Sequence, residues 1–163
     1  MKNNYLVFDS GYRGDCKTET AEQTDLAAWI DFNLPWVIWF HVPNEGRRLL
    51  SGVINKNMGV KKGVADIIIL SQGYLNDCGV IELKRKDKKK SKVSKDQKQF
   101  LSCCQSQGIF SALTYGKDEA VKAIKIYFTG SDDNDKFALY VSEQRKQRRI
   151  KWCYFYFNRM KSR

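Results

Sequence analysis

Histidine is almost missing from this chain: His41 is the only one among 163 residues. Five cysteines occur (Cys16, Cys78, Cys103, Cys104 and Cys153), an odd number with no C-x-x-C pair. Together these scarcities exclude the usual zinc centres. They also leave cysteine-nucleophile catalysis with one candidate base. Free thiols fit a reducing compartment, so a cytoplasmic location is expected. No apolar run reaches the ~18 residues that a membrane span needs. The opening Met1-Lys2-Asn3-Asn4 precedes only a short apolar patch, and no signal peptide is expected. There is no Walker loop and no Gly-x-Gly-x-x-Gly. Proline occurs twice, at Pro35 and Pro43, bracketing one apolar run.

What is abundant is positive charge. The net charge is +11, which favours a polyanionic partner, nucleic acid before anionic membrane. A merely solubilising basic surface is the plainer alternative. An apolar content of 42% and a charged content of 29% are globular values, and the length suits one compact domain.

Periodicity predicts a short strand at 5–8, a helix over 18–33 stopped by Pro35, and a central strand at 36–41. A helix is expected around 47–58. A hairpin of strands at 64–70 and 78–84 follows, joined by a turn rich in Gly, Asn and Asp. Then come a helix at 94–107, a strand at 109–114 and a helix at 118–128. This order argues for an α/β fold, one mixed sheet flanked by helices. After Gly130 a polar breaker leads to two apolar stretches, 137–141 and 150–157, read as a terminal strand pair. Three segments result: 1–17, a core of 18–129, and a basic, aromatic extension of 130–163.

Charges inside apolar strands mark the chemistry. Asp66 opens the run Ile67-Ile68-Ile69, and Glu82 and Lys84 sit in Val80-Ile81-Glu82-Leu83-Lys84. Burying charge costs several kcal/mol unless it is paired or bound to metal. Residues i and i+2 of a strand share a face, so Glu82 and Lys84 point together while Ile81 and Leu83 pack opposite. Two carboxylates and an ammonium at a sheet are the parts needed to hold a divalent metal and a water for phosphodiester cleavage. The plainer readings are a turn residue for Asp66 and an edge-strand ion pair for Glu82 and Lys84. Glu19 shares a helical stripe with Gln23, Leu26 and Ile30, and so points towards the sheet. It could equally be a first-turn acid favoured by the helix dipole, and Glu22 competes for its role. Gln97 completes a capping box with Ser94, yet its stripe with Leu101 and Cys104 could bring the amide beside the strands. Lys84 to Lys95 is dense in lysine and reads either as a solvated turn or as a phosphate-contacting loop.

Taken in order, His41-Val42-Pro43-Asn44-Glu45-Gly46-Arg47-Arg48, Gly63-Val64-Ala65-Asp66, Ile81-Glu82-Leu83-Lys84, Ser94-Lys95-Asp96-Gln97 and Asp118-Glu119-Ala120 resemble the VRR-NUC family. This is the virus-type replication-repair nuclease domain within the PD-(D/E)xK superfamily. The resemblance covers about residues 18–129. It implies a PD-(D/E)xK nuclease-like fold and a Mg2+- or Mn2+-dependent DNA endonuclease leaving 5′-phosphates. It implies that Asp66, Glu82, the Leu83 carbonyl and Glu19 serve the metal, that Lys84 orients the water, and that Gln97 is the helix glutamine of the third motif. Asn44, Arg47, Arg48, Lys61, Lys62, Lys86, Lys88, Lys89 and Lys90 are the expected DNA contacts. Branched DNA such as four-way junctions, a homodimer, a role in DNA repair and a viral or phage setting follow by the same resemblance. Ala65 departs from the family's usual proline, which only restricts the backbone. The alternatives are a non-catalytic nucleic-acid-binding module or inhibitor, and an assembly protein driven by the aromatic tail at 152–157.

Overall fold

The computed structural model describes residues 4–43 and 61–161, with side chains as far as residue 149. Five strands form one mixed sheet: β1 (Leu6–Phe8), β2 (Trp39–His41), β3 (Ile67–Ile69), β4 (Gly79–Lys84) and β5 (Phe110–Tyr115). Their spatial order is β1-β5-β4-β3-β2. The β2–β3–β4 pairs are antiparallel, while β4 and β1 each run parallel to β5. Four helices flank the sheet among the described residues: α1 (Glu19–Asn33), α2 (Lys95–Ser106), α3 (Lys117–Thr129) and α4 (Asn134–Lys161). The α/β fold with a mixed sheet flanked by helices is thus the one expected from the sequence.

Alternation along the strands builds the two layers. Ile67, Ile69, Ile81, Leu83 and Ala112 are fully buried against Leu26 and Ile30 of α1 and against Ala120, Ala123 and Ile124 of α3. On the other face Val80, Leu113 and Tyr115 pack on Leu101 of α2. Each large side chain buried this way contributes roughly 1.5–3 kcal/mol of transfer free energy.

Local chemistry sets the helix ends. Thr18 caps α1 by accepting from the Ala21 amide at 3.2 Å. Ser94 and Gln97 make a reciprocal capping box on α2. Gly116, the residue before α3, offers no side-chain cap, so Glu22 Oε2 reaches from α1 to accept from the Lys117 amide at 2.7 Å. Glu22, the competitor for the role of Glu19, is thus a buried cap between two helices.

Two expectations are corrected. The apolar run 36–41 does not make a central strand: β2 lies at the sheet edge, with Ile38 64% and Phe40 46% exposed. A continuous apolar run usually signals burial on both faces, but here Trp36, Val37 and Trp39 meet the core while Ile38 and Phe40 face outward. The C-terminal strand pair is instead the helix α4. Asp133 accepts from the Asp135 and Lys136 amides and starts it. Phe137, Tyr140 and Val141 then recur at helical rather than alternating spacing and pack on the core, with Phe137 stacked on Trp29 at 5.7 Å. The beginning of the extension is thereby part of the main core. The helix expected around 47–58 lies outside the described residues.

Candidate active site

The continued register of β3 and β4 sets Asp66 directly opposite Glu82, since Ile67 pairs with Ile81. Both carboxylates project from the face that α2 covers. Asp66 Oδ2 accepts from the Leu83 amide at 2.9 Å, which aims Asp66 at the end of β4. In a strand, the amide and carbonyl of one residue point to the same edge. The Leu83 carbonyl consequently faces Asp66 as well. On the opposite edge, the fully buried Thr114 hydroxyl donates to the Glu82 carbonyl at 3.2 Å.

Lys84 joins the carboxylates. Its ammonium lies 2.8 Å from Glu82 Oε1 and 2.8 Å from Glu19 Oε1, so the helix acid and the strand acid meet on one cation. Gln97 completes the group. Its Oε1 accepts from the Ser94 amide at 2.8 Å, closing the capping box, while its Nε2 donates to Glu82 Oε1. The cap fixes which end of the amide faces the strand. Asp66, Glu82, Lys84, Glu19 and Gln97 are all brought together, drawn from four separate segments.

Glu82 is the focus of the electrostatics. It is fully buried, and its Oε2 has no hydrogen-bond partner among the described residues. Burial first, and the Asp66 charge second, push its pKa from 4.5 up to about 8, although the Lys84 ammonium pulls the other way. Burial alone would lower Lys84, but the Glu82, Glu19 and Asp66 carboxylates outweigh it and hold the ammonium above the ordinary lysine range. The two shifts pull against each other, since a protonated Glu82 lends Lys84 no charge. Glu82 is raised, beside a Lys84 kept cationic by Glu19 and Asp66.

A raised carboxyl pKa favours the folded state only while that carboxyl is protonated. Between pH 4.5 and about 8 the folded chain binds the extra proton, so stability falls as pH rises through that window. The slope is at most about 1.4 kcal/mol per pH unit. In EDTA, urea unfolding midpoints of the wild-type chain are expected to drop between pH 5 and 8, and Glu82→Gln to flatten the drop. An equal slope in the variant would place the titrating group elsewhere.

The donor set suits a hard divalent cation. An unsatisfied buried carboxylate oxygen, a second carboxylate across the strand pair and an edge carbonyl are the oxygen ligands that Mg2+ takes, with waters filling the rest of its shell. Among the described residues, no group of three or more His, Cys, Asp and Glu side chains is arranged to hold a metal on its own. Glu19 fits that finding, because its Oε1 is engaged by Lys84.

Gln97 allows its two duties to be separated. Glutamate is as good a capping-box residue as glutamine. Gln97→Glu is therefore expected to melt within a few degrees of the wild type. It would nevertheless set a carboxylate against Glu82 and alter divalent-cation affinity by roughly tenfold, about 1.4 kcal/mol. Calorimetric Mn2+ titration checks this, and an unchanged affinity would mean that Gln97 serves the helix alone.

The expected DNA-contacting residues fare unevenly. Lys88–Lys90 form a short 3-10 turn capped by Asp87. Lys86 pairs with Asp118 at 3.3 Å, Lys88 with Asp9 at 3.8 Å and Lys90 with Asp15 at 3.0 Å. Arg85 donates to the Lys17 and Cys16 carbonyls. The lysine-rich loop is thus folded onto residues 9–17 rather than standing free in solvent. Lys61, Lys62 and Lys89 are exposed and form no ion pair with a described residue. Asn44, Arg47 and Arg48 lie outside the described residues.

Sequence reasoning missed Thr114 and the contact of His41, whose Nδ1 lies 2.9 Å from the Asp66 carbonyl. A carbonyl only accepts, so Nδ1 carries the proton. Both contacts arise from strand pairing between distant segments, for which the local sequence holds no signal.

No family model matches the chain, and no curated protein does. Among solved structures, one described as a VRR_NUC domain protein is similar at 23% sequence identity with a TM-score of 0.58. The match covers 73% of this chain and 98% of that one, and what the two share is the fold.

Proposed function

We propose that this chain is a nuclease that hydrolyses DNA phosphodiester bonds with Mg2+ or Mn2+. The observation that carries the reading is the buried Glu82, one oxygen unsatisfied, set against Asp66, Lys84 and Gln97. Likeness of fold to a VRR_NUC domain protein supports it, as does the net charge of +11.

Asp66, Glu82 and the Leu83 carbonyl would hold the cation, with Glu19 acting through water or on leaving Lys84. When bound, the divalent ion would supply Lewis acidity, drawing charge from the phosphoryl oxygens and acidifying a water. Lys84 would do two jobs. It balances the carboxylates while the site is empty of substrate, and it offers N–H donors to the charge that develops at the attacked phosphate. Gln97 holds Glu82 in one rotamer, which keeps the oxygen without a partner aimed at the same place. Lys61, Lys62 and Lys89 would contact the phosphate backbone and position the strand without reading sequence. Branched DNA and a homodimeric state extend the resemblance and set the first substrates and size measurements to try.

Purified protein is expected to cut DNA with Mg2+ or Mn2+ and to stop cutting, while still binding, in EDTA. Binding without cleavage under every metal condition, on both linear and branched substrates, would favour the non-catalytic binding module instead.

A further inference from the structure

A cavity lies at the opposite end of the sheet from Asp66 and Glu82. It opens where the Ser71–Gly73 turn after β3 meets the end of α3 and the middle of α4. Its volume is about 410 Å³, within the roughly 300–1,000 Å³ of small-ligand sites. Trp36, Phe128 and Tyr140 supply its aromatic wall, with the Phe128 and Tyr140 rings stacked at 5.5 Å. Gln72, Gln144 and Arg148 supply the polar groups, and neither aspartate nor glutamate lines it among the described residues. The Arg148 guanidinium sits over the Trp36 ring at 5.8 Å, and it forms no ion pair with a described residue. Among the described residues the buried Trp36 indole N–H makes no hydrogen bond of good geometry, although it lies near enough to the Tyr140 hydroxyl to lower that phenol's pKa against the effect of burial.

The chemistry is specific in kind. Aromatic faces attract a flat ring by stacking. A guanidinium with no carboxylate partner attracts an anion, and its planar fork matches a phosphate. The two glutamine amides offer donors and acceptors to a ring edge. A ligand with a flat heteroaromatic ring and one anionic group a few ångströms away would use every one of these features. We infer that this cavity binds a mononucleotide unit, its base against the aromatic wall and its phosphate on Arg148. The unit could come from a free nucleoside monophosphate or from an unpaired nucleotide of a DNA strand. This inference goes beyond the proposed nuclease activity and does not depend on it.

The test uses the full chain in EDTA, which separates it from cleavage. Deoxyadenosine monophosphate, deoxyadenosine, inorganic phosphate and a short oligodeoxyadenylate are titrated, and the indole N–H resonances are followed by NMR. The Trp36 resonance is identified by its loss in Trp36→Phe. Saturable binding by the mononucleotide or the oligonucleotide, with Kd at or below about 1 mM and a shift of the Trp36 signal, is expected. Arg148→Ala, an exposed position that leaves the fold intact, should weaken it by roughly tenfold. Saturation by the oligonucleotide alone would identify a strand as the source, and saturation by the mononucleotide alone a free nucleotide. The inference is overturned by no saturation with either, by inorganic phosphate binding as tightly as the mononucleotide, by an unmoved Trp36 signal, or by unchanged affinity in Arg148→Ala.

Discussion

Asp66→Asn and Glu82→Gln are each expected to reduce Mg2+-supported DNA cleavage on the order of a thousandfold or more, about 4 kcal/mol of barrier. The amide variants are sharper tools than alanine. Asp66 accepts from the Leu83 amide in the resting fold, so alanine there would leave a buried N–H unpaired, costing about 1–3 kcal/mol of stability. Asparagine keeps an acceptor oxygen for Leu83 but brings no negative charge to a cation. Glutamine at 82 likewise keeps the shape of a side chain that is fully buried beside Lys84 and Gln97. Both variants should therefore melt near or above the wild type in EDTA and retain DNA binding while cleavage disappears. A variant that cuts at close to the wild-type rate would remove its residue from the proposed chemistry.

Gly63→Ala is expected to be the most damaging single methyl in the described core. Gly63 has φ of +74°, a backbone shape that costs a residue with a Cβ about 1–2 kcal/mol. A Cβ there would also sit 2.6 Å from the Gln97 amide nitrogen, against the backbone of the first turn of α2. That turn cannot yield without carrying Gln97 away from Glu82. Overpacking of this kind adds roughly 1–3 kcal/mol, and a total of about 3 kcal/mol corresponds to a melting point lower by about 10 °C for a chain of this length. Gly108→Ala is the matched control. Its φ is +77°, yet no described residue lies within 4 Å of the added Cβ, so only the conformational cost remains. Thermal melts followed by circular dichroism should rank Gly63→Ala well below Gly108→Ala, and equal melting points would mean that the Gly63 loop does not brace α2.

What could be read from the sequence, and what could not, follows a physical divide. The i and i+2 pairing of Glu82 with Lys84, the capping box at Ser94–Gln97 and the inward stripe through Glu19 are local patterns, and each found its place in the fold. The hairpin of β3 and β4 was legible because two apolar runs are joined by a turn rich in breakers. Errors came where one local pattern serves two structures. The run 36–41 is apolar enough for a central strand, yet its exposed Ile38 and Phe40 belong to an edge. Residues 137–141 satisfy a strand by composition, but Phe137, Tyr140 and Val141 meet the core with helical spacing. Long-range contacts were illegible altogether. Nothing near Glu22 announces that it caps α3, nothing near Thr114 that it holds Glu82, and nothing in the lysine-rich loop that Asp9 and Asp15 take up two of its charges.

The central claim is that the Asp66–Glu82 pair is a divalent-cation site. Crystals grown with Mn2+ test it most directly, through the anomalous signal of the metal. The account predicts a peak between the two carboxylates, within bonding distance of Glu82 Oε2 and the Leu83 carbonyl, and its loss in Glu82→Gln. Crystals that show saturating Mn2+ elsewhere, with Glu82 still closed on Lys84 and no peak beside Asp66, would contradict it.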